Sequence, residues 1–295
     1  SASTILNIRE GSDGYLWFCT VQNGLFRWNG ESMLNITTEQ GLDHNYVFDV
    51  MPLGKYDAWI FGFKGLYHLM HTKIEPIELP KGIPTHTRFY GYQRDKAKNI
   101  WIGTTAGVLK YRDGEFKQLT MKNGLVDNNI WKIIQDREGN MWFGSKSNGV
   151  SKLNSERFKI YKSKEDIPYP AVNAVFRDSK NRVWLGTRGG AAIWEGKSRQ
   201  FVKEKDGLSS EVISDFDEGP DGTIYIGTDY GITTYQDGKF TKYIAKKTDL
   251  NDCRDVFVDG STIWLGTKIG PAVFEQGYIS QPFNAAAFPQ YVFDA

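Results

Sequence analysis

Residues that carry most metal and redox chemistry are scarce in this sequence. Its 295 residues include two cysteines, Cys19 and Cys253, and four histidines, His44, His68, His71 and His86. Two cysteines so far apart make neither a disulfide framework nor a compact zinc motif. Neither sign of charge is in excess, since 36 Lys and Arg face 35 Asp and Glu. That balance provides no electrostatic footprint for nucleic acid or an anionic membrane. No apolar run approaches the roughly 20 residues of a bilayer-crossing helix, so direct membrane insertion by this chain is not expected. The opening Ser1-Ala2-Ser3-Thr4 lacks the charged start and apolar core of a signal peptide, and no initiating Met is present. The chain therefore reads as an excised or processed piece.

What is present is repetition. The run Ile100-Trp101-Ile102-Gly103-Thr104 has relatives beginning at Leu16, Ala58, Met141, Val183, Ile224 and Ile263. Their aromatic residues fall at positions 17, 59, 101, 142, 184, 225 and 264, with gaps of 42, 42, 41, 42, 41 and 39. A period of this size signals a repeat architecture and overrides the two-domain expectation that length alone would suggest. Inside each unit the apolar pattern has the period of strands, and Gly, Asp and Asn mark the breaks. The fourth unit, for instance, reads as strands at 130–135, 141–145, 150–154 and 158–162. Four short strands every 40 or so residues, without a helical window, specify an all-β chain: a seven-bladed β-propeller of four-stranded antiparallel blades.

The expected blades cover about 1–41, 42–82, 83–124, 125–166, 167–207, 208–249 and 250–283. Each is built from consecutive residues, so blade seven should close on blade one without a shared strand. The tail 284–295 echoes the first strand of unit two, Asn45 to Val50. It reads either as an extra, latching strand or as the start of a following unit. A disulfide between Cys19 and Cys253 could staple the closing joint, although both align with buried positions.

The repeated Trp reads as a wedge between blades, and the Gly two residues later as room for a neighbour. Cys19 and Phe61 take that Gly position in the first two units, which implies different packing there. Turn acids such as Asp13, Asp136, Asp178 and Asp221 read as side chains that bond the local backbone.

The histidines offer little chemistry. His68 and His71 lie three apart on a strand and so point to opposite faces. His44 and His86 occupy equivalent loops, each 15 residues before its unit's Trp, where the next unit has Asp127. A metal shared by these three is conceivable, but equivalent loops diverge around a ring, and no metal or other cofactor is expected. No nucleophile elbow or phosphate loop is present.

Recognition should lie in loops that vary on the fixed scaffold. The loops leading into the first strands and those joining second to third strands should share one face. They supply His44, His86, Arg88, Trp131, Tyr169 and Arg254 from the first set, and Lys146, Arg188, Asp229, Tyr230 and Lys268 from the second. Aromatic platforms among amides and charges suit a sugar, whose apolar face stacks while its hydroxyls need partners. Trp131, Tyr169 and Tyr230 would stack; Arg88, Lys146, Arg188 and Arg254 would hold hydroxyl or acidic groups.

The runs Gly124-Leu125-Val126-Asp127-Asn128-Asn129-Ile130, Asp136 to Ser145 and Asn148-Gly149-Val150 resemble the two-component regulator propeller repeat. So do Asp206 to Ser210 with Asp221 to Thr228. The resemblance implies the periplasmic sensor propeller of a hybrid two-component histidine kinase, often one that regulates glycan use. It implies a periplasmic or extracellular, non-enzymatic, ligand-sensing module. Its partners would be a small ligand such as an oligosaccharide, and other domains of the same receptor or a second propeller. Two alternatives stand beside it: a cell-surface or secretion-related scaffold that binds protein, and a propeller lyase or hydrolase.

Overall fold

The structure, a computed structural model, describes residues 3–71, 73–155 and 157–282. The tail echo at 284–295 lies outside the described residues. Twenty-eight strands form seven antiparallel sheets of four, each from four consecutive strands. The seven-bladed propeller expected from the repeats is the observed fold.

The first strands of the blades are Ile5–Glu10, Val47–Gly54, Phe89–Arg94, Ile130–Gln135, Val172–Arg177, Ile213–Glu218 and Cys253–Asp259. Each lies against the first strands of both neighbours, and that of blade seven against that of blade one, which closes the ring. Among the described residues the joint has no shared strand. It is held by Ile5, Ile8, Phe18, Phe26 and Trp264 in one buried cluster, and by Ile8 N–H donating to Asp255 Oδ2 at 2.8 Å. Cys19 and Cys253 are both buried and free, so no disulfide staples it. They sit in different apolar clusters, one shared by blades one and two and the other by blades six and seven.

The repeated aromatic stands on the second strand of each blade, and in five blades it wedges edge-on against the next. Trp59 meets Tyr111 at 4.9 Å, Trp142 meets Trp194 at 5.3 Å, and Trp184 meets Tyr235 at 5.2 Å, all in T-shaped contact with the next blade's third strand. Tyr225 meets Phe274 and Trp264 meets Trp28 in the same way. Such pairs contribute roughly 0.5–1.5 kcal/mol each beyond their burial.

The Gly two residues on faces the next blade's first strand. A Cβ on Gly186 would stand 2.6 Å from Ile213 Cγ2, and one on Gly103 2.7 Å from the Ile130 carbonyl. In blade two the position holds Phe61, which stacks on Tyr92 at 5.3 Å instead.

Short 3-10 turns at Thr38–Gln40, Met121–Asn123, Glu204–Asp206 and Thr248–Leu250 carry the chain from one blade to the next. Thr37 and Thr120 cap the first two, and Gly41 and Gly124 end them at φ 115° and 111°. The loop that follows is then pinned by a glycine at the start of the preceding blade's third strand. Gly107 N–H donates to Asn128 O at 2.6 Å, Gly190 N–H to Glu211 O at 2.7 Å, and Gly231 N–H to Asn251 O at 2.7 Å. These bonds bring the two loop sets onto one face.

Candidate functional site

The first strands are interrupted at one register. In every blade the pairing of first with second strand skips a residue, leaving a bulge at Leu6, Phe48, Tyr90, Trp131, Asn173, Ser214 and Arg254. A bulge turns the extra side chain out of the pleat. Here all seven turn toward the axis, where they line one pocket of about 480 Å³. That volume lies within the range of roughly 300–1,000 Å³ usual for small-molecule sites.

Two further rings of equivalent residues frame this one. Beneath it the next residues are Asn7, Asp49, Gly91, Lys132, Ala174, Asp215 and Asp255. Above it, directly after the second strands, stand Val21, Phe63, Thr105, Lys146, Arg188, Asp229 and Lys268. Lys146, Arg188 and Asp229 from this rim also line the pocket, with Tyr46, Val212 and Asp252 from the lead-in loops.

Ion pairs between blades engage this lower ring. Arg9 grips Asp49 through Nε–Oδ1 and Nη2–Oδ2, both 2.9 Å. Gly91 leaves room for that pair, since a Cβ there would lie 2.8 Å from Asp49 Oδ2. Lys132 reaches from blade four to Asp215 of blade six, Nζ–Oδ1 3.3 Å. Burial alone would lower the Lys132 pKa, but Asp215 and Asp255 outweigh it and raise it. Burial, with the Asp215 charge beside it, pushes the Asp255 carboxyl well above the usual carboxylate range.

The wall has two sides. Phe48, Tyr90 and Trp131, from blades two to four, form an aromatic arc with centroids 4.9 and 4.5 Å apart. Tyr46 extends it, 4.6 Å from Phe48. Opposite stand Asn173, Ser214 and Arg254. Asn173 donates to Ile213 O at 2.9 Å, and Arg254 is paired with Asp252, Nη2–Oδ2 2.7 Å.

Two buried polar atoms of the pocket residues, Asn7 Oδ1 and Tyr90 Oη, have no hydrogen-bond partner among the described residues. Burial raises the Tyr90 pKa, and the nearby Arg88 guanidinium opposes the rise.

Of the loop residues singled out from sequence, Trp131, Lys146, Arg188, Asp229 and Arg254 come together on this pocket. The others do not line it. His44 packs on Phe63 at 5.1 Å and accepts Tyr46 N–H at Nδ1, and Arg88 covers Phe63 at 4.3 Å. His86, Tyr169, Tyr230 and Lys268 are exposed. Among the described residues no group of three or more His, Cys, Asp or Glu is arranged to hold a metal, and His44, His86 and Asp127 form no such group.

Sequence reasoning passed over Leu6, Phe48, Tyr90, Lys132 and Ser214 because they lie within strands. A signal was there: 11 residues before the repeated aromatic the chain reads Leu6, Phe48, Tyr90, Trp131, Asn173 and Ser214, and 10 before it in the shortened blade seven, Arg254. The position just before is apolar in every blade, from Ile5 to Cys253. One position that changes chemistry between constant neighbours is where a repeated scaffold is retargeted.

The fold and pocket define a closed propeller with an axial cleft built from blade-specific residues. Two segments, 124–147 and 166–189, match the family model for the two component regulator propeller, so the repeat resemblance is borne out there. No curated protein matches the chain.

Among solved structures, the extracellular domain of the hybrid two component system BT3049 from B. thetaiotaomicron is similar at TM-score 0.80 and 24% identity, over 94% of this chain and 39% of that one. The extracellular domain of the one component system BT4673 from the same organism gives 0.76 and 20%, over 92% and 38%. This chain thus spans well under half the length of either. Virginiamycin B lyase from Staphylococcus aureus gives 0.71 and 14%, over 91% and 93%. At these identities the likeness shows the fold.

Proposed function

We propose that this chain is a ligand-sensing, extracytoplasmic propeller of a two-component signalling receptor, and that it takes a small saccharide in the axial pocket. The observation that carries the reading is the two-sided wall: the aromatic arc of Phe48, Tyr90 and Trp131 on one side, amide, hydroxyl and guanidinium on the other. A pyranose has that same division, an apolar ring face and an equator of hydroxyls. The polar side of the wall favours a hydroxylated ligand over a purely apolar one.

The matched repeats and the similarity to extracellular domains of two component systems support the sensor role. An extracellular or periplasmic location fits those relatives, and no helix among the described residues is long and apolar enough to cross a membrane. A catalytic reading, as in the lyase of like fold, has less support, because no histidine lines the pocket. Signalling would require the bound ligand to favour one arrangement of the propeller against other receptor domains or a second propeller.

Calorimetry against a panel of mono- to tetrasaccharides tests the reading. At least one should bind, and Trp131→Ala should weaken it ten-fold or more without lowering the thermal midpoint by more than a few degrees. A broad panel without a binder, or binding indifferent to Trp131, overturns it.

A further inference from the structure

The pocket's mouth is unbalanced in charge. Its rim carries Lys146, Arg188 and Lys268 against one carboxylate, Asp229. Arg254 and Asp252 neutralise each other. Lys132 below is already committed to Asp215.

Among the described residues Lys146, Arg188 and Lys268 enter no ion pair. Two of them line the pocket from adjacent blades, and Lys146 lies over the Trp131 ring at 5.1 Å, which sets a cation at the edge of the aromatic arc. Nothing in the fold demands this. The same rim position is apolar or uncharged in blades one to three, as Val21, Phe63 and Thr105.

We infer that the ligand of this pocket carries an anionic group, a carboxylate or a sulfate, read by Arg188 and Lys146 while the ring that bears it lies along Trp131. The inference rests on the saccharide reading of the pocket and narrows it to acidic sugars. A guanidinium offers a planar pair of donors that matches two oxygens of either anion. A cleft lined by one sign of charge also concentrates ligands of the other. A neutral sugar would gain from neither effect.

The experiment is a matched titration by calorimetry and tryptophan fluorescence. The probes are a disaccharide ending in glucuronate, its counterpart ending in glucose, and sodium sulfate. The acidic disaccharide should bind at least ten-fold tighter than the neutral one, and the gap should shrink as ionic strength rises. Arg188 is exposed, so Arg188→Ala should leave the thermal midpoint unchanged while removing most of that gap. Arg188→Lys should restore part of it.

Equal affinity for the two disaccharides, or an acidic preference untouched by Arg188→Ala, overturns the inference and leaves the saccharide reading standing. Arg188-dependent sulfate binding with neither disaccharide bound keeps the anion and removes the saccharide. Failure of all three probes overturns both.

Discussion

Asp95, Asp136 and Asp178 hold one position in three blades and serve one purpose beyond turning the chain. Each accepts the indole N–H of its blade's Trp, at 2.7, 2.9 and 2.9 Å, as well as a backbone N–H of its own turn. The turn acid thus sets the angle of the wedge. Burial alone would raise Asp95 and Asp136, but the bonds from Trp101 and Asn99, and from Trp142 and Asn140, lower both. Their stabilisation is present above the ordinary carboxylate range and is lost as pH falls through their depressed values.

Asp217 works in the opposite sense. Burial pushes it up to about 6 from the ordinary 3.8, although Val258 N–H donates to it at 2.7 Å. A carboxyl whose folded pKa is raised binds its proton more tightly in the fold. Its ionisation therefore destabilises as pH rises from about 4 to about 6, by up to roughly 3 kcal/mol when complete. Asp217→Asn, which keeps an acceptor for Val258 but cannot ionise, should be more stable than the parent by about 1–3 kcal/mol at pH 7.5 and nearly equal to it at pH 4. Urea unfolding at the two pH values measures this, and an advantage that is constant or larger at pH 4 would refute it.

The glycines that open the third strands act on whole elements. Gly190 sits at φ 108°, its N–H holds Glu211 O, and a Cβ on it would meet Val202 O at 2.3 Å. Gly190→Ala should cost about 2–4 kcal/mol, since left-handed strain and a backbone clash add. It should also loosen the lead-in loop of blade six, read as faster hydrogen exchange at 208–212 than in the parent. Unchanged exchange there would mean that the glycine serves its own blade only.

At this scale the sequence was highly legible where local chemistry decides. The fourth blade's strands were expected at 130–135 and 141–145 and stand at Ile130–Gln135 and Met141–Ser145, because turn residues and a period of two mark both ends. The bulges were not legible. Ile130-Trp131-Lys132 reads as an ordinary alternating strand, and only the pairing partner, Gly144 opposite Lys132, shows that Trp131 has been skipped. The same gap in local information hid the pocket wall. The rim residues Lys146, Arg188 and Asp229 could be placed by counting from the Trp, whereas the direction of Tyr90 or Ser214 depends on a register set across two strands.

The seven blades are tethered to one another by chain at six junctions; among the described residues the seventh, between blades seven and one, is held by side-chain contacts and hydrogen bonds. Trp264 is central to it, edge-on to both Phe18 and Trp28, at 6.1 and 5.7 Å. Because opening between the described residues of this joint breaks no sheet, it should be a low-cost sub-global opening of the ring. The pocket straddles the same joint, with Leu6 and Asn7 on one side and Asp252, Cys253 and Arg254 on the other.

Trp264→Ala should therefore lower global stability by about 3–5 kcal/mol, as for other large buried aromatics. Its particular mark should be a loss of amide protection concentrated in 5–10 and 253–259, beyond that in the first strands of blades three to five. Trp101→Ala, at a tethered junction, should lower stability by a similar amount without that concentration. If the two variants gave the same pattern of exchange, the joint would be no weaker than any other, and a ligand in the pocket would gain no special hold on ring closure. If they differ as expected, occupancy of the pocket and closure of the ring are linked, since a ligand touching both sides of the joint binds the closed form and stabilises it by mass action.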